Sequence, residues 1–279
     1  MTYVIAEAGA CADGDLAKMI CLIDNAKSVG ADGIKFQWTS NANLMALQRG
    51  KAFENGYVEV YSRYLQWPIE WHEQFARHCE DIGIDYLCTV YLSDDLEVVS
   101  PYVARFKVAS FEALDVNFIQ AHAPHLSSRD VLISTGMCSS KDLTYLVKTA
   151  IKPYKLQDHV QFLHCTSSYP APTNELNLGV IGAKTWGTHD WQMTGYSDHS
   201  LPTFTQSGAL AVASGATIVE AHLRHTDTDE NNPDRDHSMT VDQFRSYVDQ
   251  IREAEVAIGS GIKEPQPCEQ LMEQYRVKS

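Results

Sequence analysis

The sequence predicts an α/β fold, a single-domain (β/α)8 TIM barrel. Eight short apolar or β-branched runs are spread along the 279 residues, amphipathic stretches lie between them, and no Pro/Gly/Ser-rich linker or change of composition divides the chain. Strands interleaved with helices build a parallel sheet, and a count of eight favours a closed barrel over an open doubly wound sheet.

The runs, in order, are 3–7 (YVIAE), 33–37 (GIKFQ), 85–90 (DYLCTV), 105–110 (RFKVAS), 131–135 (VLIST), 160–165 (VQFLHC), 193–197 (MTGYS) and 217–222 (TIVEAH). They read as continuous short runs without internal alternation, as expected of strands covered on both faces. Of the helices between them, 15–28 gathers Leu16, Met19, Ile20, Leu22, Ile23 and Ala26 on one face. The helix of 68–82 opens with Pro68 at a first helical position and stops at Gly83. Further helices are expected at 115–123, 140–151, 203–215 and 241–258. The connection between Trp38 and Trp67 is long for a βα loop and reads equally as a plain insertion or a substrate lid. The barrel is expected over residues 1–262, with 263–279 as a C-terminal tail.

Composition narrows the function classes. The 44% of hydrophobic residues excludes a disordered chain. Lys and Arg number 22 against 36 acidic residues, a formal charge of −14, which argues against nonspecific nucleic-acid binding. An anionic substrate then needs a few cations gathered locally. No long apolar run exists, and the N-terminus (MTYVIAEAGA) has neither a basic region nor a processing site, so no membrane span or secretory signal is expected. Seven cysteines without a C-x-x-C pair read as free thiols in a reducing, cytoplasmic setting.

Barrels of this kind carry their chemistry at the C-terminal ends of the strands. Standing there are Glu7, Asp13, Lys35, Gln37, Thr89, Lys107, Ser110, Glu112, Ser134, the stretch from His164 through Ser167 to Tyr169, Ser197, Asp198, His199, Glu220 and His222. A lysine inside an apolar strand either points into the mouth towards an anion or reaches the surface at a strand end. Two of them, Lys35 and Lys107, in equivalent late-strand positions and joined by Thr89, Ser110, Ser134 and Ser197, favour a phosphate or carboxylate site. His199 and His222 end consecutive strands, where two imidazoles can share one divalent ion and leave positions open for substrate. Asp198, Glu220 and Asp234 nearby strengthen that reading. His164 suits a packed histidine at least as well as a ligand. Asp13, Glu112 and Asp234 are candidate acids and bases, although an acidic chain has many solvated carboxylates. Cys88 and Cys165 read as core packing in preference to nucleophiles, and Trp67 and Trp71 as packing at a helix start. The acidic stretch 226–236 (TDTDENNPDRD) reads as a solvated loop beside the mouth.

The strings IAEAGACADGDL, GIKFQ, CTVY, FKVASFE, ISTGM, LHCTSSYPAP, GYSDHS, VEAHL and NPDRDHSM occur in that order from residue 4 to about 240. Together they resemble the N-acetylneuraminate (sialic acid) synthase family, barrels that condense phosphoenolpyruvate with an aldehyde sugar. The resemblance implies phosphoenolpyruvate-binding positions at Lys35, Thr89, Lys107, Ser110, Ser134, Ser167 and Ser197. It implies metal ligands at His199 and His222, usually for manganese, with Mg2+ and Co2+ as the other candidates. Asp13, Glu112, Tyr169 and Asp234 correspond to positions around the sugar and the reacting carbons. The candidate set is then Asp13, Lys107, Glu112 and Asp234 for catalysis, with Lys35, Gln37, Thr89, Ser110, Ser134, Ser167, Tyr169 and Ser197 for substrate. Two segments depart from the family pattern: Cys11-Ala12-Asp13-Gly14 stands where Asn-His-x-Gly is usual, and Ala221 where Arg or Lys is often found. The matching part is the barrel alone, without the family's antifreeze-like C-terminal domain. The expected partners are phosphoenolpyruvate and an aldose, with a homodimer also implied and neither nucleic acid nor membrane. The expected reaction yields a 2-keto-3-deoxy acid and phosphate. A divalent-metal aldolase acting on a related keto acid, or a ligand-binding barrel with altered catalysis, are the alternatives.

Overall fold

The structure, a computed structural model, describes residues 1–50, 56–126, 129–183 and 193–277. Eight parallel strands close into a barrel in chain order: β1 (Tyr3–Gly9), β2 (Gly33–Gln37), β3 (Asp85–Thr89), β4 (Arg105–Val108), β5 (Val131–Ser134), β6 (Val160–Cys165), β7 (Met193–Asp198) and β8 (Ile218–His222). β8 pairs back onto β1 with Ile5 opposite Glu220 and Glu7 opposite His222. No described helix is long and apolar enough to cross a membrane.

Outside the barrel stand α1 (Leu16–Ser28), α2 (Ala42–Gln48), α3 (Tyr57–Tyr64), α4 (Trp71–Ile82), α5 (Ser93–Val99), α6 (Val116–Ala121), α7 (Ser140–Leu146), α8 (Ser207–Ala213) and α9 (Val241–Ile258). Local chemistry sets their ends. Asp15 caps α1 by accepting from Lys18 N, Ser139 and Thr240 form capping boxes on α7 and α9, and Gly83 ends α4 at φ 72°. Pro68 lies ahead of α4, which begins at Trp71, so the proline shapes the approach to the helix and is not its first residue. The expected helix 140–151 finishes as a π-helical turn, Val147–Ile151. After β6 come two 3-10 turns, Thr173–Glu175 and Leu178–Val180. Beyond α9 the described chain to residue 277 is exposed.

Side-chain alternation, masked in the sequence by apolar outer faces, organises the barrel interior. Val4, Ala6, Ile34, Phe36, Tyr86, Phe106, Val108, Val131, Ile133, Phe162 and Val219 face the helices. Ile5, Leu87, Leu132, Leu163 and Ile218 pack against one another inside the barrel as a floor. Two positions further along those same strands stand Glu7, Thr89, Ser134, Cys165 and Glu220. The strands without a large floor residue follow the same step, from Gly33 to Lys35, Arg105 to Lys107 and Gly195 to Ser197. Gly33 and Gly195 leave the floor its space, since a Cβ would come within 2.7 Å of Leu87 and Leu163 respectively. An apolar layer with a polar layer directly above it is therefore built by period-two geometry.

The long connection after β2 carries α2 and α3. Together with Tyr91 and Leu92 after β3 they form a second small core around Met45, Ala46, Tyr61 and Tyr64. Trp38, Trp67, Trp71, His72, Phe75 and Tyr86 pack as an aromatic cluster behind it, with Trp67 and Trp71 stacked at 6.0 Å.

Candidate active site

At the C-terminal end of the barrel a cavity of about 320 Å3 is lined by side chains from all eight strands or the loops after them. Lys35, Gln37, Thr89, Lys107, Ser110, Ser134, Tyr169, Ser197, His199, His222 and Asp234 all border it. Lys35 Nζ donates to Thr89 Oγ1 at 3.0 Å, and Lys107 Nζ to Ser134 Oγ at 2.7 Å. Both lysines are 3% exposed, so their charges must be balanced locally.

Glu7 and Glu220 supply that balance, and the candidate set lacked them. Glu7 pairs with Lys35, and Glu220 Oε1 lies 3.7 Å from both Lys35 Nζ and Lys107 Nζ. Glu7 also accepts from Gln37, and Glu220 from Ser197. Burial raises the Glu7 carboxyl despite Lys35. For Glu220 burial works upward too, yet Lys107 and Lys35 outweigh it and the net shift is down. Burial alone would discharge Lys35, and Glu220 and Glu7 reverse the sign; for Lys107 burial prevails and the pKa falls. The sequence did contain the signal for both carboxylates: each stands two residues beyond a floor residue, Ile5 or Ile218, in the same register as the lysines.

Arg49, at the C-terminal cap of α2, was likewise missed and brings a third cation to the mouth. Its guanidinium lies over Tyr91 at 4.8 Å and Phe111 at 5.0 Å and donates through Nε to Glu112 Oε1 at 2.9 Å. Glu112 therefore stands behind Arg49 and does not itself line the cavity. Burial raises its pKa against the pull of Arg49. The long connection is no plain insertion, because Arg49, Tyr57 and Tyr61 all reach the mouth from it. Among the lining side chains, Lys35, Lys107 and Arg49 face Glu7, Glu220 and Asp234.

A hydroxyl cradle lies on one side. Gly136 N donates to Ser110 Oγ at 3.1 Å, and Ser167 Oγ, buried without a partner, sits where a Cβ on Gly136 would be 2.1 Å away. Ser167 thus adjoins Ser110 just behind the lining residues.

Imidazoles occupy the other side. The His199 and His222 rings are 5.5 Å apart, and the Tyr169 ring is 4.3 Å from His199. His199 Nδ1 faces Thr166 O at 3.1 Å and Cys165 Sγ at 3.4 Å. Although burial opposes the charge on His199, Cys165 and Thr166 push its pKa up to about 9. Burial also opposes ionisation of the Cys165 thiol, but His199 brings it below the usual range. Cys165 is therefore more than core packing, and it faces the barrel interior. Cys88 is held up by burial and His164 packs outward with Nε2 on Leu176 O at 2.7 Å, as expected of core residues. His222, Asp234 and His237 each place one ligand atom within 4.8 Å of the others. Burial, followed by the neighbouring His237 and His199, keeps His222 well below its ordinary pKa and hence neutral.

Asp13, like Glu112, does not line the cavity; Asp13 borders a separate surface depression instead. It adopts φ 55° and its carboxylate accepts from Lys18 Nζ at 2.6 Å, Asn232 Nδ2 at 2.7 Å and Asp229 N at 2.9 Å. It ties the loop after β1 to the loop after β8, a positional role in place of the catalytic one assigned from sequence. The acidic stretch 226–236 is accordingly no simple solvated loop. Thr228 and Asn232 are buried and donate to Cys11 O and Ala10 O.

A profile of the NeuB family matches residues 22–263. The chain belongs to the NeuB family. It is 32% identical to N,N'-diacetyllegionaminic acid synthase of Legionella pneumophila, over 94% of this chain and 75% of that protein. Human N-acetylneuraminate-9-phosphate synthase is 31% identical over 99% of this chain and 77% of that protein. The crystal structure of the sialic acid synthetase of Leptospira borgpetersenii, in complex with citrate, superposes with a TM-score of 0.84 at 27% identity, covering 99% of this chain and 91% of that one.

Proposed function

We propose that this NeuB-family barrel is a phosphoenolpyruvate-dependent transferase that joins the enol carbon to an aldehyde sugar of the N-acetylmannosamine type. The products are a sialic-acid-like 2-keto-3-deoxy acid and phosphate. The convergence of Lys35 and Lys107 with Thr89, Ser110, Ser134 and Ser197 in one cavity carries this reading, together with the synthases among its relatives.

The lysines hold the anionic ends of phosphoenolpyruvate, with Glu7 and Glu220 beside Lys35 and Glu220 beside Lys107. Ser110 adds a neutral hydroxyl that orients the phosphate, held by the Gly136 amide and flanked by Ser167. The residues around His222 fit a divalent ion. His222 Nδ1 and His237 Nε2 are buried without partners, and His199 and Asp234 adjoin them. His199 and His222 would hold the ion, manganese by the family resemblance. Its chemistry when bound is Lewis-acid polarisation of a carbonyl oxygen and a lowered pKa for water.

In the reaction the enol carbon attacks the aldehyde carbon and the aldehyde oxygen gains a proton. Water adds at the former enol carbon and gives up one proton; the C–O bond to phosphate then breaks as the new hydroxyl becomes the ketone, its proton leaving with the phosphate. Lys107 stabilises the charge that develops on the departing phosphate. Asp234 at the rim and Glu7 at the floor are the carboxylates in reach of proton traffic. A phosphate-release assay with phosphoenolpyruvate and Mn2+ tests this against N-acetylmannosamine, its 6-phosphate, diamino-dideoxy hexoses and arabinose 5-phosphate. Release should require all three components. Absence of saturable phosphoenolpyruvate binding by the Mn2+-loaded protein would sink the proposal.

A further inference from the structure

We propose that Arg49 is the residue that reads the sugar acceptor. Its guanidinium donates to the carbonyl oxygen of an acyl substituent whose alkyl end lies on the Phe111 ring, so the chain takes an N-acylated aldose and turns away a phosphorylated one. This deepens the acceptor half of the proposed function and rests on it.

The cavity has two levels. Lys35, Thr89, Lys107 and Ser134 rise from the strands directly above the apolar floor, where the proposed function puts the anionic ends of phosphoenolpyruvate. Arg49 and Phe111 come instead from the cap of α2 and the loop after β4, and Tyr57 from α3. Phe111 and Tyr57 are 49% and 44% exposed, so this wall borders the opening by which a second substrate enters.

The wall is fixed before any sugar arrives. Arg49 Cζ lies 4.8 Å from the centre of the Tyr91 ring and 5.0 Å from that of Phe111. Tyr91 is itself tied to β2, its hydroxyl donating to Gln37 Oε1 at 2.5 Å. Little ordering is then left for a ligand to impose.

Arg49 is not an open cation. Nε and Nη2 both donate to Glu112 Oε1, and Nη1 donates to the Tyr61 hydroxyl at 3.1 Å. One N–H on each terminal nitrogen remains without a partner among the described residues. Arg49 is also the one cation that pairs with Glu112 among those residues, and Glu112 Oε2 is buried with no hydrogen-bond partner. A phosphate on Arg49 would meet a carboxylate whose second oxygen already lacks a donor, and like charges set side by side are costly. A neutral carbonyl oxygen takes the spare N–H groups without that cost, and the adjoining ring suits the alkyl end of the same group. An acyl amide combines the two.

Kinetics at saturating phosphoenolpyruvate and Mn2+ compare N-acetylmannosamine, its 6-phosphate and mannose, which carries a hydroxyl in place of the acylamino group. Wild type should prefer N-acetylmannosamine to both by about tenfold or more in kcat/KM. Arg49→Met should lower kcat/KM for N-acetylmannosamine by about 10- to 150-fold and that for mannose by less than about threefold. Phosphoenolpyruvate binding, read by calorimetry, should stay within about twofold, because Arg49 lies above the lysine layer. Arg49→Met leaves Glu112 buried without its cation, so Phe111→Leu, at a half-exposed position, serves if that variant does not fold. It should cost N-acetylmannosamine about three- to tenfold and spare mannose. Equal losses for N-acetylmannosamine and mannose in both variants overturn the assignment, as does a wild type that takes mannose or the 6-phosphate equally well. A wild type that binds phosphoenolpyruvate and turns over none of the three sugars also overturns it, and leaves the phosphoenolpyruvate site standing. Absence of phosphoenolpyruvate binding is the one outcome in which the synthase reading and this inference fall together.

Discussion

Replacing Lys107 by Met removes the ammonium from a buried group of four charges and keeps most of the length of the side chain. Lys107 Nζ and Lys35 Nζ both lie 3.7 Å from Glu220 Oε1, and Ser197 donates to that oxygen at 3.2 Å. Stranding a buried carboxylate entirely costs about 3–5 kcal/mol. Glu220 keeps Lys35 and Ser197, so Lys107→Met should cost about 2–3 kcal/mol, at or below the lower end of that range. Adding Glu220→Gln removes the uncompensated charge, while Lys35 retains Glu7, so the double variant should recover more than half of the loss. Substrate binding should not recover. A hydrogen bond to a charged group contributes about 1.5–3 kcal/mol, so both variants should bind phosphoenolpyruvate about 10- to 150-fold more weakly. Urea midpoints give the first quantity and calorimetry with phosphoenolpyruvate and Mn2+ the second. A double variant that binds within threefold of wild type would refute the assignment of Lys107 to the anion.

Three further outcomes follow from the same geometry. Extraction with EDTA should abolish phosphate release and lower the melting temperature, and Mn2+ should restore both; a metal-free chain at full rate refutes the metal reading. Gly136→Ala places a Cβ 2.1 Å from Ser167 Oγ and 2.9 Å from Ser110 Oγ. It should raise the KM for phosphoenolpyruvate about tenfold or more, and an unchanged KM would remove the hydroxyl cradle from substrate binding. Burial lowers the pKa of His72 from 6.5 to about 3, so the unfolded chain takes up that proton first. The stability from His72 is complete above pH 6.5 and falls as the pH drops towards 3, reaching a loss of about 2 kcal/mol at pH 5. The acid slope of stability should be shallower in His72→Gln, and equal slopes in denaturant titrations at pH 7.5 and 5 would contradict this.

The strands were legible because their outward faces are continuously apolar, and the lysines because they interrupt that pattern. Glu7 and Glu220 interrupt it in the same way. Reading cations without their counter-charges made the cavity look more positive than it is. The helices α2 and α5 span seven residues each, too short for a periodic face to stand out, and α5 opens on Asp94 and Asp95, which read as loop. Asp13 was misassigned because spacing along β1 cannot show a left-handed turn that swings its carboxylate to Lys18. Arg49 could not be placed from sequence, since α2 folds back over the mouth through contacts with Tyr61 and Tyr91 that are distant in the chain.

The rim after β2 is closed by two indoles. Trp38 Nε1 donates to Trp67 O at 3.0 Å, and Trp67 Nε1 to Gln37 O at 3.3 Å. The two ends of the connection carrying Arg49, Tyr57 and Tyr61 are therefore stapled together whatever lies between them, and doubling the length of such a loop costs only about 0.6 kcal/mol. That makes it an interchangeable cassette. Grafting a different 39–66 segment between the same tryptophans would reshape the rim of the cavity while the layer of lysines and glutamates beneath it stays untouched.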